Sequence, residues 1–594
     1  MTNRRVPTIV VCCLLVTACS SGGGKITLGK RVTSGSTAPT SNSTPTTGQT
    51  IAWGTCRDVE IAVTDEVASA ARSAGMQCGT LAVPVDRDSS DGRTIDLAVA
   101  RIPAKGSAGK RIGSLIVNPG GPGGSGLEFL ASSAEGLPAD WRQRFDIVSF
   151  DPRGIAASAP LDCLTQSQRA KIVDAEPSTD PATAQADAAR EEQEIADGCA
   201  KDDDELFRNL GTDEVAGDLD DLRAAVGDER LTFLGLSYGT RIAAAYATKY
   251  PDRVRAVVLD GSVTPSRDLV DSSSGQVKGI SRALEAFVTR CNADTTCPLA
   301  PDAMGRMNAL AATLKATPFT ITPASGGSTG SEQLTKEKYV TGVVTALYDP
   351  SVSMALAEAV DALQGDDSSR AQEGAAFLSD LAGRQSSKQP DGTYGNGYET
   401  QSVVNCLDAD GPLETGELAK VRELAGPIPP LLDTDPATDT PSCVTLPTGD
   451  GLAISATTAT PHLLIVGTQG DPATPIEWTG QMRTALGDPT LITYGGSGHT
   501  ASLSRSCVTA QVTKFLVDGT LASAQNCPAD PSESDIYAQI AQQFETMGLS
   551  AAVGSCIADA IRQKIDPLAV VGLDGANPDP KIVSILQQAA MSCR

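Results

Sequence analysis

The chain has 594 residues, too many for one ordinary domain, and its 40% hydrophobic and 20% charged composition is that of a globular protein with a sizeable core. Its 72 acidic residues against 47 basic ones leave a formal net charge of −25. Such a surface repels phosphate backbones and anionic lipid heads, which argues against nucleic acid as a partner and leaves a soluble acidic exterior as the simplest use of the charge.

In chain order, the first feature is a secretory leader. Arg4 and Arg5 precede an apolar run from Val6 to Val16 that is too short to span a bilayer. The following Val16-Thr17-Ala18-Cys19 resembles a bacterial lipobox, and that resemblance implies cleavage before Cys19 and lipidation of its thiol. The alternative is an ordinary signal peptide with a chance cysteine. The expected segments are a lipoprotein signal peptide over 1–18 and a Ser/Thr/Gly/Pro-rich tether over 19–50. The protein is thus expected outside the cytoplasm, held at the outer face of the membrane by its lipid or released.

Folded sequence begins near Trp53. Strand-like runs at 80–85, 94–100, 114–118, 146–150, 232–235 and 256–260 are joined by amphipathic runs around 185–200, 213–226 and 238–250. This alternation over 51–265 predicts an α/β fold with a parallel sheet covered on both faces. From 266 to 455 it gives way to helices and loops, the expected mark of a helical cap. It resumes over 456–530 with strands at 462–466 and 490–494 and helices at 476–485 and 507–516. The stretch 531–594 reads as a small C-terminal helical module without chemistry of its own.

Cys12 and Cys13 leave with the leader and Cys19 takes lipid, so twelve cysteines remain, an even number that suits six disulfides in an oxidising compartment. Taken in order they form near-neighbour pairs: Cys56–Cys78, Cys163–Cys199, Cys291–Cys297, Cys406–Cys443, Cys507–Cys527 and Cys556–Cys593. Sequence alone does not establish that connectivity. Zinc is the competing use, but the chain has no C-x-x-C and only two histidines, so no metal site is expected.

The chemistry centres on Gly235-Leu236-Ser237-Tyr238-Gly239, which lies between a predicted strand and a predicted helix. A G-x-S-x-G elbow needs its glycines because the sharp turn crowds the backbone, and it presents the serine hydroxyl at a helix head, where negative charge is favoured. Gly326-Gly327-Ser328-Thr329-Gly330 matches the same pattern, but it sits in a polar loop and reads as chance in a chain with 57 glycines. Of the two histidines, His462 immediately precedes an apolar strand and suits a structural role. His499, in Gly-Gly-Ser-Gly-His-Thr after the last core strand, is the expected general base. Asp471, opening Asp-Pro-Ala-Thr-Pro after a strand, completes the order Ser…Asp…His. Asp260, at the end of the strand after the nucleophile helix, is its rival. The oxyanion donors are expected to be the N–H groups of Tyr238 and of Gly121, with the immediate neighbours of Gly121 as alternatives, in the turn Asn118-Pro119-Gly120-Gly121-Pro122-Gly123-Gly124-Ser125-Gly126. A phosphate loop would require a following Lys-Ser/Thr, which is missing.

NPGGPGGSG, FDIVSFDPRG, GLSYGT, DPATP and GSGHT together resemble the prolyl aminopeptidase family of α/β-hydrolases, and within it the secreted actinobacterial tripeptidyl-aminopeptidase branch. The likeness runs from about 50 to 530. It departs from the wider family at Pro119, which stands where that family's H-G-G-P-G box has histidine. The resemblance implies an α/β-hydrolase core with a cap, no cofactor, and release of short peptides from free N-termini. It also implies an acidic subsite in the cap for the substrate ammonium, for which Glu399 and Asp408 are the candidates. Solvated loop charge is their other reading. Carboxylesterases share the branch, so a peptide or an ester substrate fits the same triad. A non-catalytic binding protein on this fold is a third reading, although such proteins typically lose a triad member. Side-chain preference and oligomeric state are not legible.

Overall fold

The computed structural model describes residues 49–530 apart from 57–60, 91, 174, 176–180, 323–331, 390, 414–415, 433–441, 450, 452, 456–461 and 520–524, together with a few residues between 550 and 593. The leader, Cys19, most of the tether, the second G-x-S-x-G and most of the C-terminal module lie outside the described residues.

Nine strands form the central sheet: β1 (Gln77–Pro84), β2 (Thr94–Ile102), β3 (Gly113–Asn118), β4 (Phe145–Phe150), β5 (Leu231–Leu236), β6 (Val254–Asp260), and, beyond the cap, β9 (Leu463–Gly470), β10 (Thr490–Ser497) and β11 (Gln525–Cys527). A cap hairpin supplies β7 (Phe319–Ile321) and β8 (Glu332–Leu334). The spatial order is β1-β2-β4-β3-β5-β6-β9-β10-β11, with β1–β2 and β2–β4 antiparallel and the remaining pairs parallel. The strands β7, β8 and β11 carry three residues each, too few for a period of two to appear in sequence.

Every residue of β3 and of β5 is buried, as a parallel strand covered on both faces requires. Successive side chains of a strand point to opposite faces, and the two apolar cores follow that alternation. Ile116, Phe233, Val257, Leu259 and Ile465 join one cluster, whereas Leu115, Val117, Leu234, Val258 and Leu464 join the other. The first cluster is closed by the helices Thr212–Ala225 and Gly239–Lys249, and the second by Gly126–Ser133 and Ser506–Asp518.

The cap has its own core. Leu284, Phe287, Met307, Leu310, Tyr339, Val343, Leu356, Val360 and Leu378 form a third cluster that also takes in Leu431 and Leu432. The end of the expected cap segment behaves differently. Val403, Val404, Cys406 and Leu407 of the helix Gly397–Asp408, with Leu413, Val421, Cys443 and Leu446, pack into the first sheet-face cluster. These residues therefore cover the sheet rather than extending the cap.

Disulfides join Cys56–Cys78, Cys163–Cys199, Cys291–Cys297, Cys406–Cys443, Cys507–Cys527 and Cys556–Cys593, all within 37 residues of sequence. No helix among the described residues is long and apolar enough to cross a membrane.

Candidate active site

The register of the sheet brings the motifs together. Asn118, at the end of β3, pairs with Gly235 of β5, so the glycine-rich turn emerges beside the Ser237 elbow. β6 ends at Asp260 opposite Leu236, β9 leads into Asp471, and β10 leads into His499. All five lie at the carboxyl ends of parallel strands, where open α/β sheets place their ligands.

Ser237 has a φ of +54°, a left-handed conformation that is strained for a residue with a side chain. The flanking glycines explain how the turn closes. A Cβ on Gly235 would stand 2.2 Å from the Gly239 carbonyl oxygen, and one on Gly239 would stand 2.7 Å from the Asn118 carbonyl oxygen. The Ser237 N–H donates to the Asp260 carbonyl at 3.0 Å, and the serine heads the helix Gly239–Lys249.

The imidazole of His499 is held by Asp471, whose two carboxylate oxygens each lie 3.0 Å from Nδ1. Asp471 is itself buried and fixed by its own loop, accepting N–H bonds from Ala473 at 2.9 Å and Thr474 at 2.8 Å. The Thr474 hydroxyl donates to Asp471 Oδ2 at 2.9 Å and lies 3.3 Å from His499 Nδ1. Thr474 escaped the sequence reading; the Asp-Pro-Ala-Thr turn that carries it was the available signal. Burial acts to lower the His499 pKa, but the charge and hydrogen bond of Asp471, with the Asp260 charge behind them, raise it above the ordinary 6.5. With Nδ1 engaged by carboxylate, Nε2 is the nitrogen left to accept a proton.

One cap residue, Tyr348, also reaches His499. The Tyr348 carbonyl accepts the His499 N–H at 2.8 Å, and the two rings meet edge to face with centroids 5.2 Å apart. This contact crosses between separately packed cores, and nothing in the sequence near Tyr348 signals it. His462 stands at the start of β9, where its carbonyl accepts from Val257 at the opposite end of the sheet.

The glycine-rich turn is braced from two sides. Asn118 Oδ1 accepts the Gly120 N–H at 3.0 Å, and a Cβ on Gly120 would stand 2.8 Å from the Tyr238 amide nitrogen. Asp151, from the FDIVSFDPRG segment, is buried and accepts from Ser125 Oγ at 2.7 Å and the Leu127 N–H at 3.0 Å, capping the helix Gly126–Ser133. The N–H groups of Gly121 and Tyr238 have no acceptor among the described residues, and the neighbouring Gly120 packs directly against Ser237 and the Tyr238 amide.

The two expected cap carboxylates are both engaged by groups of the protein itself. Glu399 is fully buried and accepts from Arg169 Nε at 2.7 Å and from its Nη2. Asp408 accepts the Thr212 N–H at 3.0 Å and Arg241 Nε at 3.1 Å, tying the helix Gly397–Asp408 to the sheet's covering helices. Each carboxylate thus has an internal cation as partner, and Oε2 of Glu399 is left without a hydrogen-bond partner among the described residues. Tyr238 is anchored nearby, its hydroxyl 2.6 Å from Thr212 Oγ1.

Similarity to known proteins agrees with this geometry. Residues 113–506 match the model of the α/β hydrolase fold family. The chain is 32% identical over 491 residues to serine protease Hip1 of Mycobacterium tuberculosis, covering 80% of this chain and 90% of that protein. It is 31% identical to tripeptidyl aminopeptidase of Streptomyces coelicolor, over 75% of this chain and 81% of the relative. Carboxylesterase B of Mycobacterium tuberculosis is likewise 31% identical, over 79% of this chain and 88% of its own length. The chain is a serine hydrolase belonging to the α/β-hydrolase family.

Proposed function

We propose that this protein is an exported serine peptidase that releases short peptides from free N-termini through an acyl-enzyme on Ser237. The observation that carries the reading is the Asp471–His499 pair, 3.0 Å apart, on the strand-end loops that adjoin the Ser237 elbow. Ser237 Oγ attacks the substrate carbonyl while His499 Nε2 takes its proton, and Asp471 stabilises the imidazolium. The oxyanion is met by the N–H groups of Gly121 and Tyr238. The tetrahedral adduct then collapses, His499 protonates the leaving amine, and water attacks the ester by the same route in reverse.

Relatives named as a serine protease and a tripeptidyl aminopeptidase support the peptide substrate. Esterase action is the second reading, favoured by the carboxylesterase among the relatives. Export is supported by six disulfides, which persist in oxidising compartments, and membrane attachment through a lipid on Cys19 is part of the same proposal. A fluorophosphonate probe is expected to label the protein and to spare Ser237→Ala; equal labelling of the two would remove Ser237 as nucleophile. A tripeptide amide with a free N-terminus should exceed both its N-acetylated form and a p-nitrophenyl ester in kcat/KM, and the reverse ranking would select the esterase.

A further inference from the structure

One residue outside the triad touches both the nucleophile and the loop of the base. Asp260 ends β6 and is fully buried. Its carbonyl accepts the Ser237 N–H at 3.0 Å. Its side-chain Oδ2 accepts the N–H groups of Ala501 at 2.9 Å and Ser502 at 2.7 Å, the residues two and three places beyond His499. The next residue, Gly261, has a φ of +67°, and a Cβ there would lie 3.3 Å from His499 Cε1 and 3.1 Å from Thr474 Oγ1. Serine backbone, imidazole and triad threonine thus converge on one corner of the chain.

The carboxylate is not placed to act as the triad acid. Nδ1 of His499 is already taken by both oxygens of Asp471. The oxygen Oδ1 of Asp260 has no hydrogen-bond partner among the described residues, and Oδ2 is spent on backbone amides. Two consecutive N–H groups bound to one oxygen fix both the position and the direction of the turn that follows the base.

We propose that Asp260 is a positioning residue that sets the separation of Ser237 from His499 by accepting the amides of 501 and 502. This rests on the catalytic roles assigned above. Proton transfer in a triad depends on geometry, and a misplacement of about 1 Å costs on the order of 100-fold in rate. Freed of its two bonds, the 499–502 loop keeps the Asp471 and Tyr348 contacts and the packing of Ala501, but loses the ties that fix its direction.

The test compares Asp260→Asn, Asp260→Ala and Asp471→Asn with the full-length enzyme, measuring kcat and KM on a peptide amide, the fluorophosphonate labelling rate and the melting temperature. Asn keeps an acceptor oxygen and removes the charge; Ala removes both. Folded Asp260→Ala is expected to lose about 100-fold in kcat with KM within about twofold, Asp260→Asn to stay within about tenfold, and Asp471→Asn to lose about 10⁴-fold. Wild-type kcat in folded Asp260→Ala overturns the proposal, as does an Asp260→Asn loss as deep as that of Asp471→Asn. Should Asp260→Ala not fold, Asp260→Asn decides alone, since a loss beyond about tenfold means charge rather than acceptor geometry. Failure of the underlying triad is separate: it appears as equal labelling of the wild-type protein and Ser237→Ala.

Discussion

Gly120→Ala tests the close fit between the glycine-rich turn and the elbow. An added Cβ would stand 2.5 Å from the Leu236 carbonyl oxygen, 2.8 Å from the Tyr238 amide nitrogen and 3.0 Å from Ser237 Cβ. Ordinary contact begins at 3.4 Å, so the turn must retreat by about 0.9 Å from the oxygen, or the elbow must open by that amount. Gly120 also has a φ of +91°, where alanine is strained, and strain with overpacking together cost about 2–4 kcal/mol of stability. A shift of this size in the oxyanion amides predicts a loss of about 100-fold in kcat with KM little changed. Steady-state kinetics on a peptide amide, the fluorophosphonate labelling rate and urea unfolding measure the three quantities. A folded Gly120→Ala enzyme with kcat within about threefold of wild type would refute the claim that this turn sits against Ser237 and carries an oxyanion donor.

Activity needs neutral His499, whose pKa is raised above 6.5, so kcat/KM should fall as pH drops through a value higher than that. Stability runs the opposite way. A raised folded pKa contributes stability that is complete below the ordinary histidine value and is lost as pH rises through the raised one. Melting temperature and kcat/KM followed from about pH 5 to 9 check both signs, and an acid limb at or below 6.5 contradicts the Asp471 pairing. Arg169→Ala, which strands the buried Glu399 carboxylate, should cost about 3–5 kcal/mol in urea unfolding. Glu399→Gln should leave KM for free-N-terminal peptides unchanged; a selective rise would restore it as an ammonium ligand. Replacing Cys406 and Cys443 by Ala opens a loop of 37 residues and should destabilise by about 4 kcal/mol on the chain-entropy estimate, seen as a lower urea midpoint.

The elbow was legible because its signal is local. A strand, two crowding glycines and a helix lie within a few residues of Ser237, and a chain with two histidines offers few bases. The outcome for Glu399 and Asp408 shows where such reading stops. Their partners Arg169 and Thr212 lie 230 and 196 residues away, and no periodicity links an acid to a cation at that distance. Asp260 was visible as a carboxylate at a strand end, but its amide partners are 241 residues on. The packing of Val403, Leu407, Val421 and Leu446 against the sheet was hidden for a related reason. An amphipathic helix shows in sequence that it has an apolar face, not which core that face joins.

The bond that the His499 backbone N–H donates to the Tyr348 carbonyl gives the molecule an interlock. Without that bond the base is braced from the sheet side, by Asp471. No disulfide among the described cysteines joins the cap core to the sheet, since Cys291–Cys297 closes within the cap and the other pairs lie outside it. Docking of the cap is therefore held by non-covalent contacts, of which this is one at the base itself. Reaction rate consequently reports on assembly: a molecule whose cap is displaced keeps its nucleophile but works with a loosened base.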